Sequence, residues 1–118
     1  MIIIQEQDFS IQEAYETLRQ KNPNATGAIC TFTGLVRDFG DGTDLNGIEL
    51  EHYPGMTEKT LEKIVEDAKL RWEIIDSIII HRVGKLYVTD QIVFVGVCSS
   101  HRADAFAATE FIMDILKS

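Results

Sequence analysis

The sequence predicts an α+β fold, a sandwich of mixed strands and helices in the order β-α-β-β-α-β-β-β-α. Three observations carry this reading. Apolar residues recur at helical spacing in three segments, while the other apolar runs are short and rich in β-formers. Ile92-Val-Phe-Val-Gly-Val-Cys98 has no polar face, as expected of a central strand covered on both sides. The chain of 118 residues is long enough for one hydrophobic core and too short for two, so residues 1–118 read as a single domain.

Taken in order, Ile2–Gln5 reads as a short strand. Ser10-Ile-Gln-Glu13 matches a capping box, in which serine and glutamate side chains satisfy opening amides of a helix. Ile11, Ala14 and Leu18 then supply an apolar stripe to about Gln20, and Asn22-Pro23-Asn24 stops it. Ala28–Thr33 is a strand that Gly34 ends, with Ala28, Cys30 and Phe32 on one face and Ile29, Thr31 and Thr33 on the other. Arg37 to Asp44 is a glycine- and aspartate-rich loop. Ile48–Tyr53 alternates as a half-buried strand, and Pro54-Gly55 turns the chain. Thr57 caps a second helix with the stripe Leu61, Ile64, Val65, Ala68 and Trp72. Ser77–Val83, Leu86–Val88 and Ile92–Cys98 are strands, and Ser99-Ser100 caps a last helix running to about Lys117. Apolar residues wrap most of that helix between Ala103 and Leu116, which predicts heavy burial or an interface.

Eleven Lys and Arg against 19 Asp and Glu give a formal net charge of −8 and a sequence pI near 4.7. Such a surface repels phosphate backbones and anionic headgroups, which argues against nucleic-acid and membrane partners. Any anion site has to be a local cluster acting against the global field. Cys30 and Cys98 lie 68 positions apart in apolar runs, outside any metal or redox spacing, and read as buried thiols. Met1-Ile-Ile-Ile4 has no basic flank and is too short for a signal peptide, and no apolar stretch has the length of a membrane span. The expected location is the cytoplasm.

Few side chains are placed for chemistry. Ser99-Ser-His-Arg102 stands where a central strand gives way to a helix, so free amide donors, an imidazole and a guanidinium converge on a phosphate or carboxylate site. The alternative is that Arg102 pairs with a nearby acid and His101 merely helps cap the helix. Arg37, beside a glycine-rich loop, either closes on a ligand or is a solvated loop charge. Lys117, at a helix C-terminus, is by itself ordinary dipole complementation. His52 and His81 have no cysteine or carboxylate at ligand spacing, so a metal site is not expected. Arg102 and Lys117 are 15 residues apart on one helix, roughly 22 Å at about 1.5 Å per residue. They serve one small-molecule site only if two chains build it, for example about a two-fold axis.

Leu50-Glu-His-Tyr-Pro-Gly-Met-Thr-Glu-Lys59, with Thr31-Phe-Thr-Gly34 and Val36-Arg37, resembles the large subunit of molybdopterin synthase, the MoaE family. So do His81-Arg82-Val-Gly84, Ile92–Val97, His101-Arg102, Phe111-Ile-Met-Asp114 and Leu116-Lys117, in order from about residue 8 to the last residue. The resemblance implies an α/β hammerhead-like fold with an additional antiparallel β-sheet. It implies conversion of cyclic pyranopterin monophosphate to molybdopterin, with two sulfurs delivered by the C-terminal Gly-Gly thiocarboxylate of a small ubiquitin-like carrier subunit. It further implies a central homodimer with a carrier at each end, a heterotetramer, and no bound cofactor.

Carried over by position, the substrate-binding segment falls on Leu35-Val36-Arg37, the neighbouring subunit's contribution on His101-Arg102, and the catalytic lysine on Lys117. Lys117 is expected to act as acid/base or through a transient covalent adduct. Leu35 stands where the family often has a lysine, and the sequence stops at Ser118, before a family segment with Phe-Trp-Lys and a second active-site lysine. The resemblance therefore leaves two expectations: a sequence that is a truncated form of the enzyme, or a non-catalytic carrier-binding homologue.

Overall fold

The computed structural model describes residues 1–37, 47–50 and 55–117. Its elements follow the expected order: β1 (Ile2–Gln5), α1 (Ile11–Arg19), β2 (Ala28–Leu35), β3 (Gly47–Leu50), α2 (Met56–Arg71), β4 (Asp76–Arg82), β5 (Gly84–Tyr87), β6 (Gln91–Ser99) and α3 (Arg102–Leu116). The expected loop over 38–44, His52 and most of the block from Leu50 to Lys59 that precedes Gly55 lie outside the described residues.

Four strands form one mixed sheet in the order β1-β4-β6-β2, with β1 parallel to β4 and the other two pairings antiparallel. A second, two-stranded antiparallel pairing joins β3 to β5. The all-apolar run sits in the interior strand β6, as its composition predicts, because both faces of β6 are covered. Val93, Val95 and Val97 point to one face, where they pack with Leu61, Ile64, Val65 and Ala68 of α2 and Ala108 and Ile112 of α3. Phe94 and Cys98 point to the other, against Ala14 and Leu18 of α1. One strand thus feeds an apolar cluster on each face of the sheet through its alternation of side chains, so the single core expected from chain length is divided in two by the sheet itself.

Local signals read from sequence are right about most elements and wrong about several ends. Ser10 Oγ accepts from the Glu13 N–H at 3.1 Å, so the serine half of the predicted cap is present. Ile11, however, is 40% exposed, and α1 buries only Ala14 and Leu18. α2 is capped two residues earlier than Thr57: Gly55 is the N-cap at φ +87°, and its N–H donates to Glu58 Oε2 at 2.7 Å. Trp72 is the extended C-cap of α2 and packs edge-on against Phe111 with ring centres 5.4 Å apart. Gly34 does not end β2. The strand runs on to Leu35 through an irregularity in the ladder.

Candidate active site at two ends of the sheet

The segment Leu35-Val36-Arg37 leaves the sheet at the end where β6 begins. Gly34 pairs with Val93, but Leu35 pairs with Gln91, so Ile92 is an extra residue in β6. This is a β-bulge, and it explains why Ile92 and Val93 both pack into the α2/α3 core instead of alternating. Gly34 is required by the close approach: a Cβ there would lie 2.9 Å from Val93 Cγ1. Beyond the bulge the Val36 N–H donates to the Asp90 carbonyl at 2.9 Å, and the Val36 carbonyl accepts from the Thr89 N–H at 2.8 Å. Asp90 closes its own turn, donating its N–H to the Tyr87 carbonyl and accepting the Tyr87 N–H on Oδ2. Thr89, in that turn, has φ +74°, a left-handed conformation that a β-branched residue rarely adopts. Val36 is buried, Leu35 is exposed, and Arg37 is held at the surface one residue past this anchor.

His101 and Arg102 stand at the opposite end, where β6 stops. The Gly27 N–H donates to the Ser99 carbonyl at 2.9 Å, and a Cβ on Gly27 would lie 2.5 Å from the Ser100 carbonyl oxygen. The two backbones touch here. Ser99 and Ser100 do not cap α3 as the sequence suggests: the N-cap is His101, with no side-chain cap bond. Ser99 Oγ instead accepts from the His101 N–H at 3.3 Å, and the Ser100 hydroxyl donates to the Glu73 carboxylate. Glu73 in turn donates its N–H to Asp104 Oδ2 at 3.1 Å, tying the first turn of α3 to the end of α2. The side chains of His101 and Arg102 are exposed, beside opening amides of the helix that have no intrahelical acceptor.

Lys117 is the C-cap of α3, its N–H bonded to the Met113 carbonyl at 3.0 Å and its side chain exposed. α3 begins three residues after β6 ends and packs Ala108 and Ile112 back onto Val93 and Val95. It therefore runs back along β6, returning Lys117 toward the Arg37 end. The nine residues of β6 separate the two ends by roughly 26 Å at about 3.3 Å per residue. Within one chain, then, Arg37 and Lys117 share an end, and His101 and Arg102 occupy the other.

The model of the MoaE protein family matches residues 4–118. The chain belongs to the MoaE family. It is 55% identical over 117 residues to the molybdopterin synthase catalytic subunit of Ralstonia nicotianae and 49% identical over 117 residues to that of Escherichia coli K12. These matches cover 99% of this chain and 66% and 77% of the relatives' own lengths. The solved molybdopterin biosynthesis MoaE protein from Burkholderia ambifaria superposes with a TM-score of 0.90 at 50% identity, over 100% of this chain and 76% of that one. The family comprises molybdopterin synthase catalytic subunits, enzymes of molybdenum cofactor biosynthesis.

In this MoaE chain the two thiols stay apart. Cys30 pairs in register with Val97 and Cys98 with Ile29, so their side chains lie on opposite faces of the sheet. Both cysteines are free. Burial pushes the Cys98 thiol above its ordinary value, which keeps it protonated. The sequence singled out Arg37, His101, Arg102 and Lys117 but attached no role to Arg82, Asp8 or Gln91, which bond around the start of β6. Only the His81-Arg82 pair within the resemblance hinted at them. Among the described residues no helix is long and apolar enough to cross a membrane.

Proposed function

We propose that this chain converts cyclic pyranopterin monophosphate to molybdopterin, taking two sulfurs from the thiocarboxylated Gly-Gly tail of a small carrier subunit. Residues 1–118 act as one large-subunit domain of the α/β hammerhead class, β3 and β5 belonging to its additional sheet. It works in the cytoplasm as a homodimer carrying a carrier at each end. One observation supports this most directly: the antiparallel pairing of β2 with β6 and the return of α3 put Arg37 and Lys117 at one end and His101 and Arg102 at the other. A second copy related by a two-fold axis brings the ends together, and the exposed Phe32, Leu35, Phe106 and Ile115 supply apolar surface for such contacts.

In the composite site Arg37 and the second copy's His101 and Arg102 bind the cyclic phosphate and the pterin oxygens, offsetting a net charge of −8 with a local cation cluster. Leu35 borders the pocket and Val36 anchors it. The thiocarboxylate sulfur attacks a carbon of the pterin side chain and displaces an oxygen there. Water then cleaves the acyl–sulfur bond, so that the sulfur stays on the pterin and the carrier leaves as its carboxylate. Opening of the cyclic phosphate supplies the leaving group for the second addition. Lys117 transfers protons in these steps or forms a transient adduct with carrier or substrate.

Co-expressing Arg102→Ala with Lys117→Ala tests the shared site. Each variant alone is expected to be impaired, but a mixed dimer rebuilds one intact site, so random pairing restores about a quarter of wild-type turnover. No recovery above the two single variants would place the whole site in one chain and overturn the reading.

A further inference from the structure

We infer that Arg82 is a positioning residue for the substrate-binding segment, acting on Arg37 through the start of β6. The inference rests on the proposed role of Arg37 and adds the device that holds it. The Arg82 side chain is only 12% exposed. Its Nε donates to the Glu6 carbonyl at 3.0 Å and its Nη1 to the Gln91 carbonyl at 2.9 Å, while Asp8 Oδ1 lies 3.8 Å from Nη1. The Gln91 amide donates to Asp8 Oδ1 at 2.8 Å and to the Phe9 carbonyl at 2.9 Å. Arg82, Gln91 and the segment from Glu6 to Phe9 are thereby one polar clamp on the β4 side of β6.

On the β2 side, Asp90 and Gln91 face the proposed substrate-binding segment. The Asp90 carbonyl accepts from Val36, and Leu35 pairs with Gln91 across the bulge. Successive backbone carbonyls of a strand point to opposite neighbours. Gln91, gripped by Arg82 on the β4 side, therefore fixes its neighbour Asp90, whose carbonyl faces Val36 on the β2 side. The strained Thr89 turn and the bulge both sit at this junction, and such features persist only where the surroundings over-determine them. Gln91 also holds the Asp8 carboxyl below its ordinary value, because the bonded amide favours the charged form. A guanidinium fork suits this task because it reaches two carbonyls at fixed geometry, which an ammonium cannot do.

The test is Arg82→Lys in the full chain, read by amide hydrogen exchange and by binding of the cyclic pyranopterin precursor. Exchange at the Val36 and Thr89 amides is expected to accelerate at least tenfold while Val95 and Val97, at the centre of β6, stay as in wild type. Precursor affinity should fall about tenfold, with carrier binding unchanged. Wild-type exchange and affinity, or acceleration spread evenly along β6, would overturn the positioning role. If Arg82→Lys does not fold, Asp8→Ala at an exposed position decides by the same criteria with smaller changes. Arg37→Ala run alongside separates the two claims. Wild-type precursor binding by that variant would sink the site assignment, whereas local loosening at Val36 would still stand or fall on the exchange data.

Discussion

The two ends of β6 are held by different physics. At the Arg37 end, polar groups from residues 6–9, 82 and 87–91 converge through hydrogen bonds, and a bulge and a left-handed threonine aim the chain. At the His101 end the backbones of Gly27 and Ser100 are in contact, and the cap is built from neighbours in sequence plus the Glu73 link. Hydrogen-bonded clamps yield by degrees when one partner is lost, and one of them titrates. A backbone contact tolerates almost no added volume. The end that carries Lys117 is therefore the adjustable one, and the end that presents His101 and Arg102 is the rigid one.

The largest effect expected separates the chemistry of the ends. Lys117→Ala should keep folding, dimerisation and carrier docking but lower the rate of product formation by two orders of magnitude or more, about 3 kcal/mol in the barrier. Arg102→Ala, at the other end, should chiefly weaken precursor binding, by roughly 1.5–3 kcal/mol for a lost charge-assisted contact. If both variants changed the same kinetic parameter equally, the division of labour between the ends would be gone. Lys117→Arg sharpens the role further. A guanidinium keeps the charge but does not deprotonate at accessible pH, so substantial activity would leave Lys117 with a purely electrostatic task.

A smaller effect tests rigidity itself. Gly27→Ala drives a Cβ to 2.5 Å from a backbone carbonyl oxygen, whereas Gly34→Ala meets a valine methyl at 2.9 Å. Overpacking of this kind costs about 1–3 kcal/mol, with Gly27→Ala at the upper end of the range and Gly34→Ala at the lower, measured by urea denaturation. Equal losses would mean the two ends give way alike.

The smallest effect is a pH dependence confined to the Arg37 end. The hydrogen bond from Gln91 comes first, with the Phe9 amide and Arg82 adding to it, and together they lower the Asp8 carboxyl below its ordinary value of 3.8. A depressed folded-state value means the contribution is present above about pH 4 and lost as pH falls through the lower folded value. Asp8 is largely exposed, so the contribution is small. Thermal midpoints of wild type and Asp8→Asn should differ slightly and constantly at neutral pH and converge as pH falls through the lowered Asp8 value, below 3.8. A difference that persisted unchanged at lower pH would show that the Asp8 charge contributes nothing to the clamp.

Much of this molecule is written locally. The nine elements of the described residues follow from periodicity and β-former content, and the two-faced packing of β6 follows from a run with no polar position. The proposed site cations Arg37, His101, Arg102 and Lys117 were visible as charges near element ends, and the length of α3 requires a second copy if Arg102 and Lys117 share a site. Caps were less legible. Thr57 and Ser100 are good capping residues by type, yet the backbone turned at Gly55 and Ser100 bonded Glu73 instead. Type alone does not say which partner a hydroxyl will meet.

What the sequence by itself determined is the order of elements, the apolar strand that belongs at the centre, and the family that its sequence blocks resemble. Those properties depend on neighbours within a few residues, or on patterns that repeat along the chain. The tertiary structure alone decided that β2 continues past Gly34 through a bulge, that Gly27 must lack a side chain, and that Arg82 reaches Gln91 and Glu6. These contacts join strands that are distant in sequence and adjacent only after the sheet has formed. Their partners are fixed by register, and register is set by both cores together.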